Sequence, residues 1–336
     1  MTTGASFAPV IVVEGAPKIL WEWSDGTTSD STAPSVNFGT EESREQRLRV
    51  TPWSALRRIN IGYDGGDGGS GQIEYVADQH VAEVRNLDLV APSLKEWCSS
   101  YNKIVSLDFS NFVNLSTIEC YYSSLLKSVK LSNTPNLGRA CFEGCALESL
   151  DLSGCPRLAD LRGAKNRFPT ITFADSMPEI WHLCINDNTM TARDLFKSTD
   201  RFPNIRELFI WKCNQTGALR IPSTARWPDW VAIFAYSNQY TSVDLSGDDV
   251  SEVDLHSNSV DSISIDGCRQ LIRLKLADNA LAANAVTYVL TTLDGLGRTN
   301  GTVDLSGGTN AVPSGQAATD AIVNLRAKGW TVTVNQ

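Results

Sequence analysis

A spacing of apolar residues that returns every twenty-odd positions constrains this chain more than any other feature. The frame apolar-x-x-apolar-x-apolar-x-x-Asn, with Cys or Ser admitted at its end, first appears clearly as Leu115-x-x-Ile118-x-Cys120-x-x-Ser123. It returns at Leu137/Ala140/Phe142/Cys145, Leu158/Leu161/Gly163/Asn166 and Ile180/Leu183/Ile185/Asn188. Further copies are Ile205/Leu208/Ile210/Cys213, Val250/Val253/Leu255/Asn258 and Leu271/Leu274/Leu276/Asn279. With Ile233 of segment 230–238 included, the second apolar positions fall at 118, 140, 161, 183, 208, 233, 253 and 274, in steps of 22, 21, 22, 25, 25, 20 and 21 residues. A period of this length implies one solenoid coil per step.

The pattern has a direct physical reading. Alternate residues of a short strand point to opposite sides, so the apolar set enters the coil and the intervening side chains face solvent. The terminal Asn or Cys meets backbone groups at the turn, where no water reaches them. A weaker strand signal lies about eleven residues out of phase, at Ser106–Phe109, Ser128–Leu131, Ser149–Leu152, Ser242–Leu245 and Ser262–Ile265. It predicts strands on both sides of each coil, and the two 25-residue coils have room for short helices at 192–198 and 224–229.

The run Leu150-Asp151-Leu152-Ser153-Gly154-Cys155-Pro156-x-Leu158-x-x-Leu161 resembles compact bacterial leucine-rich repeats with units of about 21 residues. The resemblance covers 53–336, opening at Leu56-x-x-Ile59-x-Ile61 and continuing at Leu87-Asp88-Leu89. The ending, Val303-Asp304-Leu305-Ser306-Gly307-Gly308-Thr309-Asn310-Ala311-Val312-Pro313-Ser314, precedes an amphipathic helix (Ala317, Ala321, Ile322, Leu325) and a last strand at 330–334. It resembles the C-terminal cap of leucine-rich proteins from phage and prophage structural regions. Such a cap covers the open end of a repeat stack.

Residues 7–51 carry strand-like runs at 7–13, 18–23, 35–38 and 46–51. Between them Trp21-Glu22-Trp23-Ser24-Asp25-Gly26-Thr27-Thr28-Ser29 resembles the W-x-W-G-D-G turn of polycystic-kidney-disease-type (PKD-type) β-sandwiches, with Ser24 where that family has Gly. Asp25 reads as a turn residue before a glycine that accepts positive φ, with a calcium ligand as the other reading. The expected fold is mainly β with some α: a small Ig-like or PKD-like β-sandwich over 1–52, a right-handed leucine-rich-repeat solenoid over 53–300, and a helix-strand cap over 301–336.

Composition bounds the function. The chain has 336 residues, a net charge of −9 and no Lys/Arg run, so a nucleic-acid footprint is absent. Residues 1–20 lack a basic n-region and Glu14 interrupts their apolar stretch, so no secretory leader is expected. No window offers the ~20 apolar residues of a membrane helix. Three histidines (His80, His182, His256) lie far apart in sequence, and no G-x-S-x-G, Walker loop or H-E-x-x-H occurs. Cys120, Cys145, Cys155, Cys213 and Cys268 sit at recurring repeat positions and form no CxxC, so buried free thiols are expected and a zinc site is not. Within Asp64-Gly65-Gly66-Asp67-Gly68-Gly69-Ser70-Gly71, Asp64 and Asp67 are weak calcium candidates against the plain reading of a flexible surface loop. No cofactor and no enzymatic activity are expected.

The sharpest functional signal is aromatic. Side chains expected to face solvent are His182, Cys184 and Asn186 in one coil, then Glu207, Phe209 and Trp211, then Ala232, Phe234 and Tyr236, then Glu252, Asp254 and His256. Phe209, Trp211, Phe234 and Tyr236 therefore gather on adjacent coils, with Trp181 at the margin and Arg206, Glu207, Lys212 and Asp254 as a polar rim. Two readings stand: an exposed binding patch, or rings covered by a loop of the longer coils. The resemblances imply a phage virion component (tail, fibre or surface decoration) within a larger assembly. Its partners would be a host protein or cell-surface glycan receptor, or neighbouring virion proteins. The rival is a bacterial adhesin or intracellular interaction scaffold, in the cytoplasm or at the cell surface by a non-classical route.

Overall fold

The computed structural model describes residues 2, 6–40, 42–61, 81–191, 195, 201–221, 231–247 and 250–336. The chain divides into two compact units, Met1–Ser176 and Met177–Gln336, each built of stacked coils. Asp64, Asp67 and His80 lie outside the described residues, as do the short helices expected at 192–198 and 224–229, except Leu195.

In the first unit the strands Leu56–Asn60, Glu96–Cys98, Thr117–Glu119, Arg139–Cys141 and Asp160–Arg162 form one parallel, in-register column. Trp97, Ile118, Ala140 and Leu161 face one another at its centre and are buried, because a three-residue strand can hide only its middle side chain inside the coil. The out-of-phase strands form parallel pairs: Ser106–Asp108 with Ser128–Lys130, and Leu150–Leu152 with Ile171–Phe173. Leu87–Val90, where the spacing suggested a repeat strand, is a 3-10 helix. The strand of that coil is Glu96–Cys98 instead, with Trp97 filling the apolar position.

The N-terminal segment does not stand apart from the repeats. Val10–Val13 pairs antiparallel with Leu56–Asn60 and so extends the repeat column. Lys18–Glu22 pairs with Thr28–Ser29 and Arg47–Thr51 in a separate antiparallel sheet, and Ser6–Phe7 pairs with Val36–Asn37. Trp21 and Trp23 stack at 5.4 Å, with the Phe7 ring edge-on at 6.3 and 6.1 Å, which gives this segment its own small aromatic core. Asp25 serves the turn: its Oδ1 accepts from the Thr27 backbone N–H at 2.9 Å and the Thr27 hydroxyl at 2.6 Å.

The second unit repeats the plan. Its column comprises His182–Cys184, Glu207–Phe209, Ala232–Phe234, Glu252–Asp254, Arg273–Lys275, Thr302–Leu305 and Thr331–Val334, all parallel. Thr216–Arg220, Gln239–Asp244 and Ser262–Ser264 make a second parallel sheet. The last two coils carry helices: α1, Ala283–Gly295, and α2, Gly315–Ala327. Helix α1 buries Val286, Val289, Leu290 and Leu293, a stripe at helical spacing. Helix α2 buries Ala318, Ala321 and Leu325, so Ala318 occupies the buried place expected of Ala317, which is exposed.

Inside the turns the asparagines do what their position demands. Asn238 donates to the carbonyls of Ile210 (2.9 Å) and Ala235 (3.0 Å) and accepts from the N–H groups of Cys213 and Gln215, both at 3.0 Å. Asn166, Asn258, Asn279 and Asn310 bond in the same manner. Where cysteine takes the place, the thiol serves carbonyls alone: Cys145 reaches Cys120 at 2.8 Å, and Cys213 reaches Ile185 at 3.0 Å and Trp211 at 3.5 Å. The residue just before the turn Asn, Cys or Ser is left-handed in coil after coil: Tyr101, Tyr122, Gly144, Lys165, Asp187, Lys212, Ser237, Ser257 and Asp278. Gly144 has a second reason to lack a side chain, since a Cβ there would lie 2.4 Å from the Tyr122 ring.

Candidate functional site

Parallel register turns equivalent positions of successive coils into straight ladders of side chains about one strand spacing apart. In the second unit one ladder holds Cys184, Phe209, Phe234, Asp254 and Lys275, fixed by the strand pairing. The next ladder holds Asn186, Trp211, Tyr236 and His256, two residues beyond each. Large rings at neighbouring rungs have no choice but to stack.

They do so closely. Trp211 and Tyr236 lie 5.2 Å apart with planes 6° from parallel, and Tyr236 and His256 lie 4.5 Å apart at 14°. Phe209 and Phe234 meet at 5.3 Å in an edge-to-face arrangement, and Phe209 also meets Trp211 at 5.9 Å. His182 sets its ring edge-on to Phe209 at 5.4 Å, and Trp181 meets His182 at 5.4 Å. Trp181, Phe209, Trp211, Phe234, Tyr236 and His256 are all half-buried. The loops of the two longer coils, which the other reading of the sequence folds over these rings, lie outside the described residues apart from Leu195.

Two members of the expected surface are corrected. His182 and Asp254 are buried, at 7% and 4% exposure, although strand alternation turns both away from the coil interior. Their direction is as expected; their neighbours cover them. His182 lies between the Trp181 and Phe209 rings, and Asp254 sits among His256, Lys275 and Phe234. The same crowding buries Asn186 and Ala232.

Polar contacts fix the ladder at both ends. The Trp211 indole N–H donates to Asp187 Oδ2 at 3.0 Å, and Lys212 Nζ lies 3.7 Å from Asp187 Oδ1. At the other end His256 Nδ1 lies 2.6 Å from Asp254 Oδ1, while Lys275 Nζ donates to Asp254 Oδ2 at 3.1 Å. Burial, and then the Asp187 and Asp254 carboxylates, raise the Tyr236 phenol above its ordinary value and keep it a neutral hydrogen-bonding group. Asp187 and Lys275 do not belong to the aromatic pattern; the signal for Asp187 is its place just before the turn residue Asn188.

The corresponding strand face of the first unit is ionic. Arg139 lies 3.4 Å from Glu119 and 3.7 Å from Asp160, and Arg162 lies 3.2 Å from Asp160. In the same unit Tyr101 and Tyr122 stack at 5.4 Å from left-handed positions just before Asn102 and Ser123. Among the described residues no cluster of three or more His, Cys, Asp or Glu forms a metal site, and no helix is long and apolar enough to cross a membrane.

No family model matches the chain, and no curated protein matches it. Among solved structures the fold is similar to that of a leucine-rich-repeat protein of Leptospira interrogans, with a TM-score of 0.52 and 16% sequence identity. The match covers 74% of this chain and 62% of the length of that one. At this identity the likeness establishes the architecture: a mainly β solenoid of the leucine-rich-repeat kind.

Proposed function

We propose that the chain is a non-enzymatic recognition protein that binds a protein partner through the strand face of its second unit, with Phe209, Trp211, Phe234 and Tyr236 as anchors. A solenoid of this kind is a scaffold for protein interaction, and half-buried aromatics at its strand face form the apolar centre that interfaces need. The observation that carries the reading is the parallel Trp211–Tyr236–His256 stack. Within the stack Tyr236 has both faces covered, by Trp211 and His256, so it offers a partner its edges and phenol hydroxyl, while His256 keeps one face open toward Ala277. A sugar stacks on an open ring face, whereas edges and a hydroxyl suit a packed protein surface; this favours a protein over a cell-surface glycan. The Asp254–His256 pair has the form of a general-base dyad, but its ladder neighbours are Tyr236 and Ala277, neither an activated nucleophile.

The test pans a random peptide display library on the immobilised chain and re-measures the selected peptides on Trp211→Ala/Phe234→Ala. Loss of two anchors is expected to weaken binding by about 100-fold or more. Because both rings are half-exposed, the melting temperature should fall by only a few degrees, on the order of 1–2 kcal/mol. Selected peptides that bind the double variant unchanged, or a collapse of stability with binding intact, would make these rings core and end the proposal.

The setting we assign is a virion, as a tail, fibre or surface-decoration component, with the N-terminal segment as the docking module. This is supported by the phage-type layout of 303–336 and by the PKD-like turn from Trp21 to Ser29. A survey of neighbouring genes tests it: capsid and tail genes alongside support it, while their absence favours a bacterial adhesin or intracellular scaffold.

A further inference from the structure

We propose that the ladder's end at His256 is a seat for an arginine side chain of the protein partner, an inference that rests on the recognition reading above. The register shows why the stack stops there. Asp254 pairs with Lys275, and Ser257 N–H donates to the Ala277 carbonyl at 2.9 Å, so the rung after His256 is Ala277. Lys275 pairs with Asp304, and Asp278 N–H donates to the Ser306 carbonyl at 2.8 Å, so the following rung is Ser306. A run of three rings thus gives way to a methyl and a hydroxymethyl. Ala277 is half-exposed, and among the described residues no ring contact continues the stack beyond His256. A planar group resting on the imidazole at the ordinary contact distance of about 3.5–4 Å fills the missing rung.

Charge selects the group. The cations of this face are already engaged: Lys212 with Asp187, Arg273 with Glu252 and Lys275 with Asp254. Asp278, the residue after Ala277, and Asp304, beside Ser306, have no ion pair among the described residues. Asp304 Oδ1 takes the N–H and hydroxyl of Ser306, which leaves Oδ2 for a partner. A guanidinium is planar, always charged and able to give parallel N–H donors to carboxylates while stacking on a ring. A lysine ammonium meets the charge but cannot stack, and a phenyl ring stacks but leaves both carboxylates without a counter-charge.

The probe is acetyl-Gly-Arg-Gly-amide, titrated into the full chain with 13C-labelled histidine rings and followed by NMR. With three histidines in the sequence, the His256 signals are assigned by His256→Gln. A saturable shift at His256 is expected with a Kd on the order of 1–10 mM. The lysine and phenylalanine analogues should bind about tenfold more weakly or not at all. Asp278→Asn/Asp304→Asn should weaken the arginine peptide to a similar degree, and Ala277→Phe, which supplies the missing ring in cis, should abolish the shift. An equal response to the lysine peptide, a response surviving Ala277→Phe, or no saturable shift at His256 overturns the seat. Peptides selected on the aromatic anchors that bind without arginine-dependent shifts overturn the seat and leave the recognition surface standing. An arginine response without any anchor-dependent peptide upholds the seat and removes the wider surface.

Discussion

Each coil of this protein is closed by a side chain that serves as substitute backbone, and the asparagines do this more completely than the cysteines. Asn238 satisfies two carbonyls and two N–H groups in a place where it is 8% exposed. Asn238→Ala leaves those groups buried without partners, so we expect a loss of about 3 kcal/mol or more, read by denaturant unfolding. A loss below about 0.5 kcal/mol would mean that water enters the turn and does the work instead. Among the eight cysteines seven are buried and only Cys184, at the start of the aromatic ladder, is half-exposed. Burial pushes the Cys145 and Cys213 thiols up to about 12 and Cys155 up to about 11, so at pH 8 they remain protonated and poor nucleophiles. Iodoacetamide should therefore label Cys184 first in the folded chain; peptide mass spectrometry showing Cys145 or Cys213 modified at the same rate would contradict the packing described.

At the scale of elements, the strands of the coils were legible in the spacing because burial of a single central side chain leaves so strong a period. Helix α1 was not, and the reason lies in the steps. The column residues Leu274, Val303 and Val332 are 29 residues apart, against 20 to 25 between Ile118 and Leu274, and the extra length of each step holds a helix. A count that stops at Leu274 cannot see this. Exposure along the strand face was only partly legible: alternation gives the direction of His182 and Asp254, but whether a neighbouring rung covers them depends on the size of side chains more than twenty residues away. The two helices pack together and share a polar junction. Lys328 Nζ reaches both the Asp294 carboxylate and the Asp294 carbonyl at 2.6 Å, and Asn324 donates to the same carboxylate at 3.0 Å. Burial opposes the charge on Asp294, but the Lys328 and Asn324 hydrogen bonds and the ammonium charge outweigh it and lower its pKa. A lowered carboxyl pKa contributes stability at neutral pH that disappears as pH falls through it. Lys328→Ala should thus cost about 1 kcal/mol near neutrality, and the difference from wild type should shrink in acid; a pH-independent difference would assign the loss to packing of the lysine stem.

At the scale of the whole molecule, sequence distance matters less than coil distance. Within each unit a coil touches the one before and the one after, so its stability is its own plus two interfaces, and damage should fade with the number of interfaces crossed. The asparagine that closes the Ala232–Phe234 coil offers a way to see this, because its partners are the Ala235 carbonyl of its own coil and the Ile210 carbonyl and the Cys213 and Gln215 amides of the preceding one. Hydrogen exchange on Asn238→Ala is expected to show the largest loss of protection in Glu207–Phe209 and Ala232–Phe234, a smaller one in Glu252–Asp254, and little change in Thr331–Val334. The arrangement also has a consequence for recognition. The rings of Phe209, Trp211, Phe234 and Tyr236 stand on the two coils expected to loosen most, so partner-selected peptides should bind this variant more weakly than wild type although no contacting side chain has been changed. Uniform loss of protection along the chain would mean instead that the coils unfold as one cooperative body, and the surface would then owe its rigidity to the whole stack and not to its immediate neighbours.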